Sequence, residues 1–95
     1  MEQNKGYIEL DETRAKITEI DAQIVSLFEE RMNLAKDVAE YKYATGKPIL
    51  DAGKEAQKLT NIAAAMPDAF KDYSVKLYEC IFKLSRDYQN KLLEK

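Results

Sequence analysis

The sequence predicts an all-α fold, a subunit of three helices of which the first is unusually long. Three observations carry that prediction. The chain has 95 residues, 45% apolar and 34% charged, with only three Gly and two Pro, the composition of a helix-rich globular chain. Its apolar residues recur every three to four positions over nearly the whole length, the period of a helix face rather than of a strand. A single chain of this size also buries barely enough surface to stand alone, so residues 1–95 read as one domain that gains from a partner subunit.

The first helix follows from Leu10, Ile17, Ile20, Ile24, Leu27, Leu34, Val38 and Tyr41, whose spacing fits heptad positions a and d. It should end at Ala44-Thr45-Gly46-Lys47-Pro48, where glycine can take the left-handed cap and proline cannot continue the ladder. Asp51 stands as the N-cap of a second, short helix running to about Ala65. Met66-Pro67-Asp68 interrupts the chain again. A third helix then carries Phe70, Tyr73, Leu77, Ile81, Leu84, Tyr88 and Leu92 on one stripe. Residues 1–8 are a polar lead-in whose order the sequence leaves open.

A helix over residues 9–43 spans about 50 Å, whereas a compact chain of this length has a radius of gyration of about 12 to 13 Å. The first helix should therefore overshoot its own subunit, and the simplest cover for its seam is the same helix of a second chain. The plainer alternative is a monomeric bundle with a kinked first helix.

Several function classes fall away on composition. The 15 basic and 17 acidic residues are intermingled, for a net charge of -2, which leaves no basic footprint for nucleic acid. Neither a signal-peptide-like stretch nor a membrane-spanning run is present, so the expected location is cytoplasmic. There is no histidine and one cysteine, Cys80. Disulfides, Cys/His metal sites and histidine-based catalysis are thereby excluded, and Cys80 reads as a small core residue on the third helix. The expected chemistry uses lysine, arginine, carboxylates, amides and hydroxyls, with no cofactor or metal.

Counting sevens from Leu10 gives Ile17, Ile24, position 31 and Val38, and position 31 is Arg31. A guanidinium in a core position costs several kcal/mol if left without a counter-charge, so something anionic should meet it. Lys42 lies eleven residues on, three turns plus about 20° and about 16 Å along the axis, and the two cations can grip one small dianion between them. Arg14 is about 25 Å from Arg31 and turned by about 100°; it can join the same ligand only across an antiparallel dimer. Ser85 and Gln89 are four apart and share a face of the third helix, while Asp51, Lys54 and Glu55 cluster at the start of the second. Each of these residues admits a plainer role: a buried ion pair or snorkelling for Arg31, an N-cap for Asp51, solvated charge or polarity for the others. Together those plainer roles leave the cation in the seam unexplained.

The order Leu10, Arg14, Ile17, Ile20-Asp21, Ile24, Leu27, Arg31, then Leu34-Ala35, Val38, Lys42, then Asp51, Lys54-Glu55, then Ser85, Gln89 resembles the AroQ-type chorismate mutases across nearly the whole chain. The resemblance implies an intertwined homodimer of three-helix subunits with two equivalent sites that convert chorismate to prephenate. It implies that Arg14 of the partner subunit and Arg31 bind the two carboxylates, and that Lys42 reaches a carboxylate and the ether oxygen. By the same resemblance Gln89 donates to that oxygen, Asp51 and Glu55 hold the ring hydroxyl, Glu55 through its backbone or side chain, Ser85 sits near a carboxylate, and Val38 and Phe82 line the apolar wall. Lys54 departs from the pattern, because the family usually has arginine there; lysine keeps the charge and loses the planar fork. Two other readings fit the same residues: an isochorismate-pyruvate lyase on this scaffold, and a non-catalytic module that binds chorismate or prephenate beside another shikimate-pathway enzyme. A plain helical interaction protein fits them less well.

Overall fold

The computed structural model describes residues 9–94; the lead-in 1–8 lies outside them. Three α-helices follow in order, α1 at Leu10–Thr45, α2 at Ala52–Ala65 and α3 at Lys71–Glu94, with a 3₁₀ turn at Asp68–Phe70 before the last. The predicted element order and the long first helix are therefore present, and α1 runs without interruption.

The helix ends show why the chain breaks where it does. Asp11 and Glu12 stand in the first turn of α1 and Lys42 in its last, each charge matched to the end of the helix dipole it occupies. At the C-terminus Gly46 adopts φ 71°, the amide of Gly46 donates to the Tyr43 carbonyl, and that of Lys47 donates to the Lys42 carbonyl at 2.9 Å. These two bonds form a Schellman motif, and only glycine takes its left-handed residue without strain. The N-cap of α2 is Asp51, whose Oδ1 accepts from the Lys54 amide at 3.1 Å. At the other end of α2, Lys71 reaches back from α3, its Nζ donating to the carbonyls of Ala63 at 2.6 Å and Met66 at 3.0 Å. The Ala63 carbonyl in the last turn of α2, which also accepts from the Met66 amide, and the carbonyl of the capping Met66 are thus engaged by a side chain, with no glycine cap.

The chain divides into two compact units, one up to Arg31 and one from Met32 onward. The first is the leading part of α1. Leu10, Ile17, Ile20, Ile24 and Leu27 on it are each half or more exposed, so the chain leaves its own apolar seam uncovered.

In the second unit α2 packs against α3. Ala35 and Ala39 of α1 are buried there, as are Ser74, Phe82, Ser85 and Gln89 of α3. Phe82 meets Tyr78 edge to face, centroids 6.0 Å apart, a geometry favoured by the ring quadrupoles.

The buried side of α3 corrects two expectations. The apolar stripe predicted for it exists, but Tyr73, Leu77 and Leu84 on it are exposed. The face that the chain buries is turned by about 90° from that stripe and carries two serines and a glutamine. Cys80 is exposed rather than part of a core, because it lies about 160° around α3 from the centre of the buried face. Phe70, assigned to the third helix from its spacing, falls in the preceding 3₁₀ turn.

Candidate active site

Most of the predicted site residues fall in the second unit. Val38 and Lys42 lie on α1, Asp51, Lys54 and Glu55 at the start of α2, and Phe82, Ser85 and Gln89 on α3. Arg14 and Arg31 belong to the first unit; Arg14 is exposed and Arg31 half-buried.

Gln89 is the most enclosed polar member of the set, 6% exposed. Its Nε2 donates to the Ser85 hydroxyl at 3.0 Å, the bond expected of residues one helical turn apart. Its Oε1 is buried with no hydrogen-bond partner. An orphaned buried acceptor of this kind costs about 1–3 kcal/mol. A serine hydroxyl both donates and accepts, so the pair has two equivalent pairings: amide to hydroxyl, as here, or hydroxyl to amide oxygen with the Nε2 hydrogens released. The arrangement offers a ligand either an acceptor or a donor from one rigid position.

Lys42 is half-buried, and its Nζ donates to the Ile49 carbonyl at 2.7 Å. The turn at Gly46 makes this contact, because it folds the chain back beside the last turn of α1. An ammonium has three hydrogens, so the tether fixes its position and leaves two donors for a ligand.

Asp51 serves as the cap of α2, with Oδ1 engaged, which is the plainer of its two predicted roles. Lys54 is exposed. Glu55 is half-buried and paired with Arg86, whose Nη1 lies 2.5 Å and 2.6 Å from its two carboxylate oxygens. Sequence reasoning passed over Arg86. It stands between Ser85 and Gln89, which was the available signal, but its partner is 31 positions away and no local period reports that distance. Of the expected apolar wall, Phe82 is buried and Val38 is 44% exposed.

The chorismate mutase type II family model matches residues 13–90. The chain belongs to that family. The chorismate mutase of Methanocaldococcus jannaschii is 36% identical over 87 residues, covering 90% of this chain and 88% of that one. Two bifunctional chorismate mutase/prephenate dehydratases are also similar, that of Buchnera aphidicola at 34% identity and that of Enterobacter agglomerans at 33%, each over 86% of this chain. The chain spans only 22% of the length of each bifunctional relative. No solved structure matches it. Among the described residues no helix is long and apolar enough to cross a membrane.

Proposed function

We propose that this chain is a chorismate mutase, an isomerase that rearranges chorismate to prephenate, and that it works as a homodimer with Arg14 supplied by the partner subunit. The activity follows the family to which residues 13–90 belong and the near full-length mutase relative. The lyase and the non-catalytic module find no support among the relatives.

The rearrangement is an intramolecular pericyclic shift. The ether C–O bond lengthens before the new C–C bond is complete, which places negative charge on the ether oxygen. No proton has to move, which suits a chain without histidine. Two tasks remain for the protein, holding the enolpyruvyl arm over the ring and aiming fixed donors at the oxygen that gains charge.

Gln89 and Lys42 take the second task. With the amide turned over, the Ser85 hydroxyl donates to Oε1, the buried orphan is satisfied and Nε2 is free to donate to the ether oxygen. Lys42, already held by the Ile49 carbonyl, directs a second N–H to the same oxygen or to a carboxylate. Neither group has far to move as the charge develops, which is where electrostatic stabilisation is most effective. Arg31 and Arg14 of the partner subunit take the carboxylates through their planar forks. Asp51 and Glu55 hold the ring hydroxyl, whose one hydrogen goes to the Glu55 carboxylate, Ser85 also stands near a carboxylate, Lys54 adds charge at the rim, and Val38 and Phe82 supply apolar wall. The exposed seam of α1 supports the dimer: Leu27, for example, is 61% exposed in the single chain, and the same face of a second copy covers it by two-fold symmetry. The reading carries with it a cytoplasmic location and association with another enzyme of the shikimate pathway, the latter in keeping with relatives whose names join mutase and dehydratase in one chain.

The observation that carries the mechanism is the buried Gln89 amide with its unpartnered oxygen. Purified protein incubated with chorismate should consume it, followed by loss of the diene absorbance. Lys42→Ala and Gln89→Ala should each lower kcat on the order of 10² to 10³ without loss of helicity. Turnover untouched by both substitutions contradicts the assignment.

A further inference from the structure

We propose that Arg86 is a positioning residue for substrate recognition: it holds the Glu55 carboxylate as a fixed acceptor for the ring hydroxyl. The inference rests on the mutase reading above and adds to it a residue outside the family pattern described for this chain.

The pair is unlike the other ion pairs described. Lys83–Asp87 and Lys71–Asp68 are local, four and three residues apart, with at least one partner well exposed. Arg86–Glu55 instead joins α3 to α2, with side chains only 29% and 26% exposed. One guanidinium nitrogen lies against both carboxylate oxygens, which stops the carboxylate from rotating. A carboxylate has about four lone-pair sites; Arg86 takes one on each oxygen and leaves one on each for a ligand. A carboxylate held this way presents acceptor oxygens to a ligand, so it selects a donor, and the ring hydroxyl is one.

The position of Arg86 fits this role. It follows Ser85 directly and precedes Gln89 by three residues on α3, so it stands on the flank of the buried polar face. Lys54, next to Glu55 on α2, is exposed and offers a point charge without a fork. The guanidinium on this flank of the site comes from α3.

A merely structural clamp and a positioning residue predict different kinetics. The test compares kcat/KM for chorismate with kcat/KM for its analogue lacking the ring hydroxyl, in the full-length chain. Unmodified protein should prefer chorismate by about 10-fold or more, the scale of one hydrogen bond to a charged group. Arg86→Leu should reduce that preference to a few-fold, mainly through KM for chorismate, and Arg86→Lys should restore part of it. In Glu55→Gln the preference should already be low, and adding Arg86→Leu should lower it little further, because the two residues act as one unit. If Arg86→Leu slows both substrates by the same factor, or neither, the proposal is overturned. If the leucine variant fails to fold by circular dichroism, the lysine variant decides the question by the same ratio: an unchanged preference overturns the proposal and a reduced one supports it. Absence of chorismate turnover in the unmodified chain would contradict the enzyme assignment itself, a different failure from an unchanged preference.

Discussion

The two units of this chain differ in what they bury. Up to Arg31, α1 leaves its isoleucines and leucines exposed. From Met32 onward the chain buries Ser74, Ser85 and Gln89 alongside Ala35, Ala39 and Phe82. Burying apolar surface stabilises a fold, and burying an amide costs free energy unless it is paired. The second unit therefore gives up stability at a place where it holds an orphaned amide oxygen, and the first withholds apolar surface that the chain needs somewhere. The proposed function accounts for both: on that reading the first region pairs with a second copy, and the second prepares a site.

That contrast can be broken at either end. The largest expected effect is on assembly. Leu27→Glu sets a charge in the seam, and an uncompensated buried charge costs about 3–5 kcal/mol, which weakens association on the order of 10³-fold. Light scattering should then report monomer at concentrations where the unmodified chain is dimeric, with most turnover lost. A Leu27→Glu chain that keeps its size and its activity would separate the seam from the function. A smaller effect is expected in the second unit. Ser85→Ala removes the hydroxyl that orients the Gln89 amide, and kcat should fall about tenfold, the scale of one hydrogen bond, while the oligomeric state stays unchanged.

The smallest effect is one of pH. An amide at position 89 donates without titrating, so turnover should stay nearly flat from pH 5 to 8. Gln89→Glu places a carboxylic acid there, which donates only when protonated; activity should then fall about tenfold per pH unit above the acid's titration. A steep profile in the unmodified chain would contradict the role given to Gln89.

The parts of this molecule that were legible in the sequence are those with local causes. Gly46 ends α1 because a left-handed residue closes a Schellman motif, and Asp51 starts α2 because its carboxylate meets the Lys54 amide; both signals lie within a few residues of their effect. Ser85 and Gln89 were legible as neighbours for the same reason. The apolar stripe of α3 was legible as a stripe, but hydrophobic periodicity does not say whether its partner is the same chain or another. The buried face consequently came out about 90° away, and Cys80 on the outside. The Arg86–Glu55 pair was not legible at all, since nothing in either helix encodes a meeting across 31 positions. The resemblance to a family supplied residue roles that the spacing alone left open between function and ordinary surface charge.

The central claim is that two chains build each site together, and subunit mixing tests it most directly. Arg14→Ala and Gln89→Ala chains, each nearly inactive alone, are unfolded, combined in equal amounts and refolded. If Arg14 acts across the dimer, half the dimers are mixed and each holds one intact site, so activity should return to about a quarter of the unmodified level. A mixture as inactive as its two components, with mixed dimers demonstrated by mass, would contradict a site shared between subunits.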